Sequence, residues 1–451
     1  MPDEVRFISL GGQSDVGCKN CKVLILNGKA YIFDCGQEIP DGDEEFGPQH
    51  VPDFSHIIDK ATEVAAIFIS HAHLDHIGAL GKFRAFYERT FPLKRMPKVL
   101  VSEYSARVIR TIERWKKEEV PVHERVEDFL EIVREYETLT VGDAEFFFFP
   151  VIHSIPGAMG CAVKLGGKRI VYLGDCKLWG NSEWRGFIAA TETFEADLQR
   201  PEVRSPDVLL LDSTGADKDG FSPPDYEASF EVARAIRESN HERILVALFA
   251  SHVERVWEIS RMVEEHTDRP IFINGRSLYM HSSRGISGLD LKRYPKKSWH
   301  DSVPRDAVIF VTGSQGEPNA VLNRLEKISP HPLRLGPRDA VIFSASTIPG
   351  NEPDVEALLN KLSRTGCAIY LASEPDGSPH RLAEHAGGRA VSGMFHVSGH
   401  GHREDLKRIV ELNNPQKILP VHAGRNRRSM VAEMFPQRSV LIVQEHEVIL
   451  L

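Results

Sequence analysis

The sequence predicts an α/β protein in which one parallel α/β domain is inserted into another α/β domain. Three observations predict it. Apolar runs of strand length alternate with helical stretches along most of the 451 residues. Histidines and aspartates recur at the carboxyl ends of strands early in the chain, and histidines return near its end. Between these blocks lies regular strand–helix alternation, the pattern of a doubly wound parallel sheet. The expected division is a first domain over 1–212, an insertion over 213–391, and a completing part over 392–451.

In chain order, the run 5–10 is a strand ended by Gly11 and Gly12. Runs 21–26 and 29–34 flank Asn27-Gly28, a strong hairpin signal, and the second ends on Asp34. Residues 37–55 are acidic and rich in proline and glycine, hence a loop. The apolar run 65–70 reads as a buried strand that delivers His71, Ala72, His73, Leu74, Asp75 and His76. In extended backbone, residues two apart point the same way, so His71 and His73 can reach one metal ion together. Asp75 and His76, where the chain turns into a helix, can face a second. Imidazole and carboxylate suit zinc, or manganese where oxygen donors contribute more. A mere run of surface histidines is disfavoured by the buried strand before it and the glycine-containing helix start after it.

A helix over 77–90 and a strand over 98–102 continue the alternation, and 103–137 reads as mainly helical and charged. The strand 144–149 leads to His153. The strand 168–173 leads to Gly174 and Asp175, where a carboxylate beside glycine can bridge two ions unobstructed. The strand 208–211 ends on Asp212. In the insertion, helices are expected over 225–239, 253–266, 319–328 and 353–365. Strands are expected over 243–250, 270–274, 307–312, 340–344 and 368–373, and 374–391 reads as a linker. His396, His400 and His402 follow, then a helix over 403–413, the strand 417–421 before His422, and a closing hairpin of 439–444 with 447–451.

The bulk numbers are those of a soluble globular chain, with 41% apolar and 26% charged residues. No run is long enough to span a bilayer and the first residues lack a signal-peptide pattern, so a cytoplasmic location and no membrane partner are expected. The net charge of −9 argues against a protein that coats nucleic acid, but not against a nuclease, because bound cations add positive charge locally. Basic clusters stand at 291–297, read as a solvated face, and at 425–428. Cys18 and Cys21 form a lone CxxC with no second pair, so a structural zinc site is not expected there.

Gly11, Gly12, Asp34, His71, His73, Asp75, His76, His153 and Asp175 together resemble the metallo-β-lactamase fold, which implies an αββα sandwich with a two-metal site. Asp212, His400 and His422 are similar to the three motifs of the β-CASP nucleases. Several runs resemble ribonuclease J: Asp212-Ser213-Thr214, Phe249-Ala250-Ser251, Asn274-Gly275-Arg276-Ser277, the TGSQGEP run over 312–318, the STIPGNE run over 346–352, and His396-Val397-Ser398-Gly399-His400. The chain ends soon after the third motif, as in the shorter archaeal members that lack the C-terminal domain. The segment 374–391 is longer than the usual connection.

The resemblance implies that His71, His73 and His153 hold one divalent ion, and Asp75, His76 and His422 another, with Asp175 bridging. It implies Asp75, Asp175, Asp212 and His400 as the catalytic set. Water activated between two ions, zinc first and manganese second, is what phosphodiester hydrolysis needs. His400 is the candidate to give the leaving 3′-oxygen its proton or to stabilise the transition state. Asp212 orients His400 or a ligand histidine, and Asp34 is a structural acceptor beneath the ligand loop. A pocket for a 5′-monophosphate near the interdomain cleft is implied at Gly313, Ser314, Ser344, Ser346, His396 and Ser398, with Arg276 as a bidentate charge. The expected activity is 5′-to-3′ exonuclease, with endonuclease cutting besides, on single-stranded RNA by a homodimer. The alternatives are a DNA-directed nuclease, a small-molecule ester or phosphodiester hydrolase on the same fold, and an inactive RNA-binding subunit.

Overall fold

The computed structural model describes residues 4–13, 19–38, 46–115, 119–180, 191–283, 304–325, 335–348, 350–374, 377–388 and 390–451. Cys18 and the basic cluster 291–297 lie outside them. The chain divides into two compact units, one containing Glu44–Ser222 and Gly399–Leu451 together with the N-terminal residues, the other containing Pro223–Ser398. These divisions fall a few residues beyond 212 and 391.

Two seven-stranded mixed sheets form the first unit. The first sheet runs Val448–Leu450, Arg6–Gly11, Cys21–Leu26, Lys29–Phe33, Glu63–Phe68, Lys98–Val101, Leu130–Ile132. The second runs Ser439–Val440, Lys417–Val421, Val208–Asp212, Lys168–Tyr172, Met159–Leu165, Ala144–Pro150, Thr138–Val141. Phe33, Phe68 and Leu100 of the first sheet share one buried cluster with Phe146, Phe148, Tyr172 and Leu210 of the second. Apolar side chains from two inner faces make a sandwich, because each sheet can hide its apolar face only against the other. The Phe33 and Tyr172 rings meet edge-on at 5.7 Å across this core. Asn27 and Gly28 both take positive φ, 52° and 74°, as a two-residue hairpin turn requires.

The second unit carries a six-stranded sheet in the order Ile271–Asn274, Val308–Val311, Ile244–Leu248, Ala340–Ser344, Ala368–Ala372, Ala390–Gly393. Every pairing in it is parallel. Helices Asp225–Glu238, Val253–His266 and Glu352–Thr365 alternate with these strands, and their buried positions recur at helical spacing. The chain is therefore an α/β protein in which a two-sheet sandwich unit is interrupted in sequence by a parallel α/β unit, the fold class expected from the sequence.

Three local readings need correction. The segments 439–444 and 447–451 are not a hairpin: Ser439–Val440 pairs with Lys417 and Ile418 in the second sheet, while Val448–Leu450 pairs with Arg6–Ile8 in the first. Short apolar runs carry no information about which edge they will close. Among the described residues of the stretch 103–137, only Glu103–Trp115 is α-helix; Leu130–Ile132 adds an edge strand. The stretch 374–391 is more than a linker, for Ala390–Gly393 extends the parallel sheet.

A helix, Arg425–Met434, stands where the basic cluster 425–428 lies. Arg428 on it is 1% exposed and donates to the carbonyls of Ala423, Val443 and Gln13. It is thus an internal tie, not part of a charged face. Arg428→Met removes the only donors those three bonds have, and should lower unfolding stability by about 3 kcal/mol in a denaturant titration.

Candidate metal centre

The site grows from the carboxyl ends of parallel strands. Lys168–Tyr172, Val208–Asp212 and Lys417–Val421 are parallel neighbours in the second sheet, and Asp175, Asp212 and His422 stand at their ends. In the first sheet the parallel neighbours Lys29–Phe33 and Glu63–Phe68 end near Asp34 and His71. The chain then leaves the strand and enters the helix Leu74–Ile77, whose first turn carries Asp75 and whose last carries His76. A Cβ on Gly36 would lie 1.5 Å from the Asp75 carbonyl oxygen, so only glycine lets the backbone pass beneath that turn. Asp34 and His422 have φ of 61° and 63°. Non-glycine residues in this region cost of order 1–3 kcal/mol each and are retained where function needs the direction they impose.

Three groups of donors result, each drawn together within 4.8 Å: His71, His73, His153 and Asp175; Asp75, His76, Asp175 and His422; and, sharing two members with the second, Asp175, Asp212, His400 and His422. In the first, Nδ1 of His73 lies 3.0 Å from Nε2 of His71 and 3.2 Å from Nε2 of His153. In the second, Nε2 of His76 lies 3.4 Å from Nε2 of His422 and 3.1 Å from Oδ2 of Asp175. That same Oδ2 is 3.3, 3.7 and 3.8 Å from Nε2 of His422, His71 and His153. A tetrahedral ion with bonds of about 2.0–2.1 Å has ligand–ligand edges of about 3.3 Å.

The hydrogen positions decide the fit. Nδ1 of His76 donates to Asp34 Oδ2 at 2.7 Å, and Nδ1 of His153 to the Gly399 carbonyl at 2.8 Å. Ser70 Oγ donates to Asp34 Oδ2 at 2.8 Å and so accepts from Nδ1 of His71 at 3.0 Å. Thr214 Oγ1 donates to Asp212 Oδ1 at 2.7 Å and so accepts from Nδ1 of His422 at 2.8 Å. A neutral imidazole carries one hydrogen. Each of these four rings, when neutral, therefore turns a bare Nε2 inward, and in the first group two such lone pairs meet Nδ1 of His73. One hydrogen on that Nδ1 serves only one of the two, whereas a cation among them serves all. Oδ1 of Asp175, buried, has no hydrogen-bond partner among the described residues. The donors fit divalent ions.

Charge tells the same story. Burial, reinforced by neighbouring imidazoles, pushes His71 and His73 well below their ordinary range, and burial brings His153 down to about 4, so all three are neutral, as ligands must be. Burial opposes the charge on Asp75 and Asp175 too, yet His76 and His422 hold both carboxyls well below the usual range. Burial would also depress His76, but Asp175, Asp75 and Asp34 together raise it well above. Without a metal ion, a second proton on Nε2 of His76 would supply the positive charge these carboxylates demand, at the nitrogen that would otherwise face the ion.

His400, in the third group, stands beside the other two. Its Nδ1 donates to Asp212 Oδ2 at 2.7 Å, and despite burial that carboxylate raises the imidazole above its ordinary value. Asp212 thus serves His400 directly and His422 through Thr214. Asp34 accepts from the Ser70 amide, the Ser70 hydroxyl, His76 and the Tyr172 hydroxyl.

Three residues here were not foreseen: Thr214, Asn20 and Lys22. Asn20 Nδ2 donates to Asp75 Oδ2 at 3.2 Å, and the fully buried Lys22 donates to Asn20 Oδ1 at 2.7 Å. A lysine inside a strand and an asparagine before it carry no metal-ligand signal, since their meaning lies in which amide face they fix. Lys22→Met frees the Asn20 amide to turn. Metal affinity should then fall about 10–100-fold in a chelator competition, with an unchanged circular dichroism spectrum.

The candidate phosphate residues all lie in the second unit, after the carboxyl ends of its parallel strands, where ligands of open α/β sheets bind. Gly313 has φ of 110° and Ser314 is buried beside it. Ser346 is exposed, and its carbonyl accepts from Gln315, whose own carbonyl accepts from the Ile348 amide. Arg276 is exposed and opens the helix Arg276–Ser283. Ser344 is fully buried and its hydroxyl donates to the Phe395 carbonyl at 2.7 Å, so its one donor is committed. Arg255, also unforeseen, is 2% exposed. It donates to His396 Nδ1 at 2.9 Å and to the carbonyls of Ser344 and Val397, gathering the segments that carry Ser344, His396 and Ser398.

The five cysteines among the described residues are free and buried. Burial pushes the Cys21 thiol up to about 12, which leaves it inert. Among the described residues no helix is long and apolar enough to cross a membrane.

Comparison with known proteins matches three family models along the chain. Residues 31–246 match a β-lactamase superfamily domain, 241–362 the β-CASP domain of ribonuclease J, and 390–435 a Zn-dependent metallo-hydrolase RNA specificity domain. The chain is 30% identical to ribonuclease J of Mycolicibacterium smegmatis, an alignment covering 93% of this chain and 69% of that protein. It is 28% identical to ribonuclease J of Thermus thermophilus, over 95% of this chain and 70% of that protein. A crystal structure of a protein of unknown function from Enterococcus faecalis matches 99% of this chain and 100% of its own with a TM-score of 0.66; at 15% identity it speaks to the fold alone.

Proposed function

Because the chain belongs to the ribonuclease J family of metallo-hydrolases, we propose that it is a two-metal ribonuclease that degrades single-stranded RNA from a 5′-monophosphate end in the 5′-to-3′ direction, with some internal cutting. The observation that carries this reading is the set of inward Nε2 atoms of His71, His153, His76 and His422, with Nδ1 of His73 among them and Asp175 between the two groups. His71, His73, His153 and Asp175 hold one ion, and Asp75, His76, His422 and Asp175 the other, zinc or manganese. Ions bound there supply Lewis acidity, lowering the pKa of water and neutralising charge on the phosphate oxygens.

The protein's own residues do the rest. Asp34, Ser70, Thr214 and the Gly399 carbonyl keep four imidazoles in the ligand tautomer. Asp212 aims His400, with its proton on Nδ1 held by the carboxylate, so that Nε2 can deliver a proton to the departing 3′-oxygen. Water is the nucleophile, so products carry a 5′-phosphate and a 3′-hydroxyl, and the sugar 2′-hydroxyl takes no part. Arginine only donates, so Arg255 compels His396 to accept at Nδ1 and carry its hydrogen on Nε2, a donor suited to a terminal phosphate. Arg255→Lys should reduce the preference for 5′-monophosphate over 5′-hydroxyl RNA about tenfold, the loss of about 1.4 kcal/mol.

The deciding experiment uses a 3′-labelled single-stranded RNA with a 5′-monophosphate or a 5′-triphosphate, incubated with manganese or zinc. Faster loss of the monophosphate form with release of mononucleotides is expected. Equal internal cutting of both forms would make the protein an endonuclease, and no cleavage by protein shown to hold two ions would end the ribonuclease reading.

A further inference from the structure

Beside the metal centre, on the same unit, two exposed aromatic rings meet. Trp179 and Phe221 are 38% and 48% exposed and pack edge to face with centroids 5.7 Å apart and planes at 85°. Single exposed apolar side chains need no explanation, but this pair is held by a built frame. The fully buried carboxylate of Asp405 accepts from the Leu178 amide at 3.1 Å, next to Trp179, and from the Ser222 amide at 2.6 Å, next to Phe221. It also accepts from the Ser222 hydroxyl at 3.1 Å and the His402 amide at 2.9 Å. The Gly401 amide donates to the Cys176 carbonyl at 2.8 Å, which ties the frame to the residues that follow Asp175 and His400. Trp179 is four residues from Asp175, so their Cα atoms lie at most about 14 Å apart.

We propose that Trp179 and Phe221 form a stacking platform for a nucleobase of the RNA strand within a few nucleotides of the scissile phosphate. The proposal rests on the ribonuclease reading above. An edge-to-face pair leaves a ring face that its partner does not cover, and every base offers a π-face, so such a platform grips a strand without reading its sequence. Lys218, three residues before Phe221, is flanked by Asp217 and Asp219, and Arg403 nearby is bound to Asp219 at 2.9 Å. Arg427 is likewise bound to Asp217 at 2.9 Å, so both arginines here are paired with carboxylates and stacking is the interaction the two rings offer. A frame so close to the catalytic carboxylate favours the substrate as occupant over a second copy of the chain.

The test compares a single-stranded RNA with the same RNA carrying abasic residues near the scissile bond, for the wild type, Trp179→Ala/Phe221→Ala, and Trp179→Phe. Stacking predicts that the wild type prefers the intact RNA about tenfold in kcat/KM and that the double variant loses this preference. It further predicts that Trp179→Phe keeps it, and that the ratio is the same at low and high salt. Bound-metal content equal to that of the wild type establishes that the double variant is folded. A wild type indifferent to abasic residues, or a double variant that still prefers intact RNA, overturns the platform. So does a loss of self-association in the double variant with its RNA preference intact, which would make the pair a contact between copies. A wild type that cleaves neither RNA, with both ions bound, removes the ribonuclease reading itself and is distinguishable from all of these.

Discussion

Asp175→Asn is expected to slow RNA hydrolysis by about 1000-fold or more, equivalent to about 4 kcal/mol of barrier height. The substitution keeps the shape of the side chain and removes one negative charge. Oδ2 of Asp175 is within 3.8 Å of four inward-facing imidazole nitrogens, two in each donor group. No other side chain among the described residues belongs to both the His73 group and the Asp75 group. Loss of its charge should therefore cost metal occupancy as well as rate, and elemental analysis should find fewer than two ions per chain. Chelation of the wild type should reproduce the loss, and return of zinc or manganese should reverse it in the wild type only. Full metal content with undiminished rate in Asp175→Asn would remove Asp175 from its bridging place.

The second large effect concerns His400 and separates proton delivery from metal binding. His400→Ala should lower kcat on RNA by about 100- to 10,000-fold, the range for loss of a general acid. Metal content should be preserved, because the nitrogen that faces Asp212 is already bound and the one donor group that includes His400 shares Asp175 and His422 with the Asp75 group, which is complete without it. The diagnostic is the leaving group. A 3′-oxygen of RNA needs a proton as it departs, whereas p-nitrophenolate does not, so the deficit should shrink at least tenfold on a p-nitrophenyl phosphodiester. Asp212→Asn should follow the same pattern with a smaller effect. An equal deficit on both substrates would move His400 from proton donor to transition-state electrostatics.

Much of this site was legible in the sequence because ligand chemistry is written locally. His71, His73, Asp75 and His76 occupy six residues after a buried strand, and each of Asp34, Asp175, Asp212 and His422 follows an apolar run of strand length. A strand end is where a side chain leaves the core and meets solvent or substrate, so the same pattern read four times is informative. Strand and helix positions in the insertion were equally readable. Ala340–Ser344 and Val253–His266 there, and Arg403–Asn413 in the completing part, have the bounds that periodicity predicts.

What escaped was everything whose meaning depends on a distant partner. Thr214 reads as an ordinary turn residue until it is found between Asp212 and His422. Lys22 looks like the exposed member of a strand and is fully buried behind Asn20. Arg428 sits in a run of charges yet turns inward to three carbonyls. Ser344 resembles a phosphate donor, but its hydroxyl is already given to Phe395.

By itself the sequence determined the fold class and the residue types that stand at the candidate metal centre, since these follow from periodicity and from residue type at strand ends. Only the tertiary structure decided the edges that the last strands close, the tautomer of each imidazole, and the carboxylate that faces both donor groups. Those are matters of which groups meet across hundreds of residues, and hydrogen bonds and charge act over a few ångströms of space, whatever the separation along the chain.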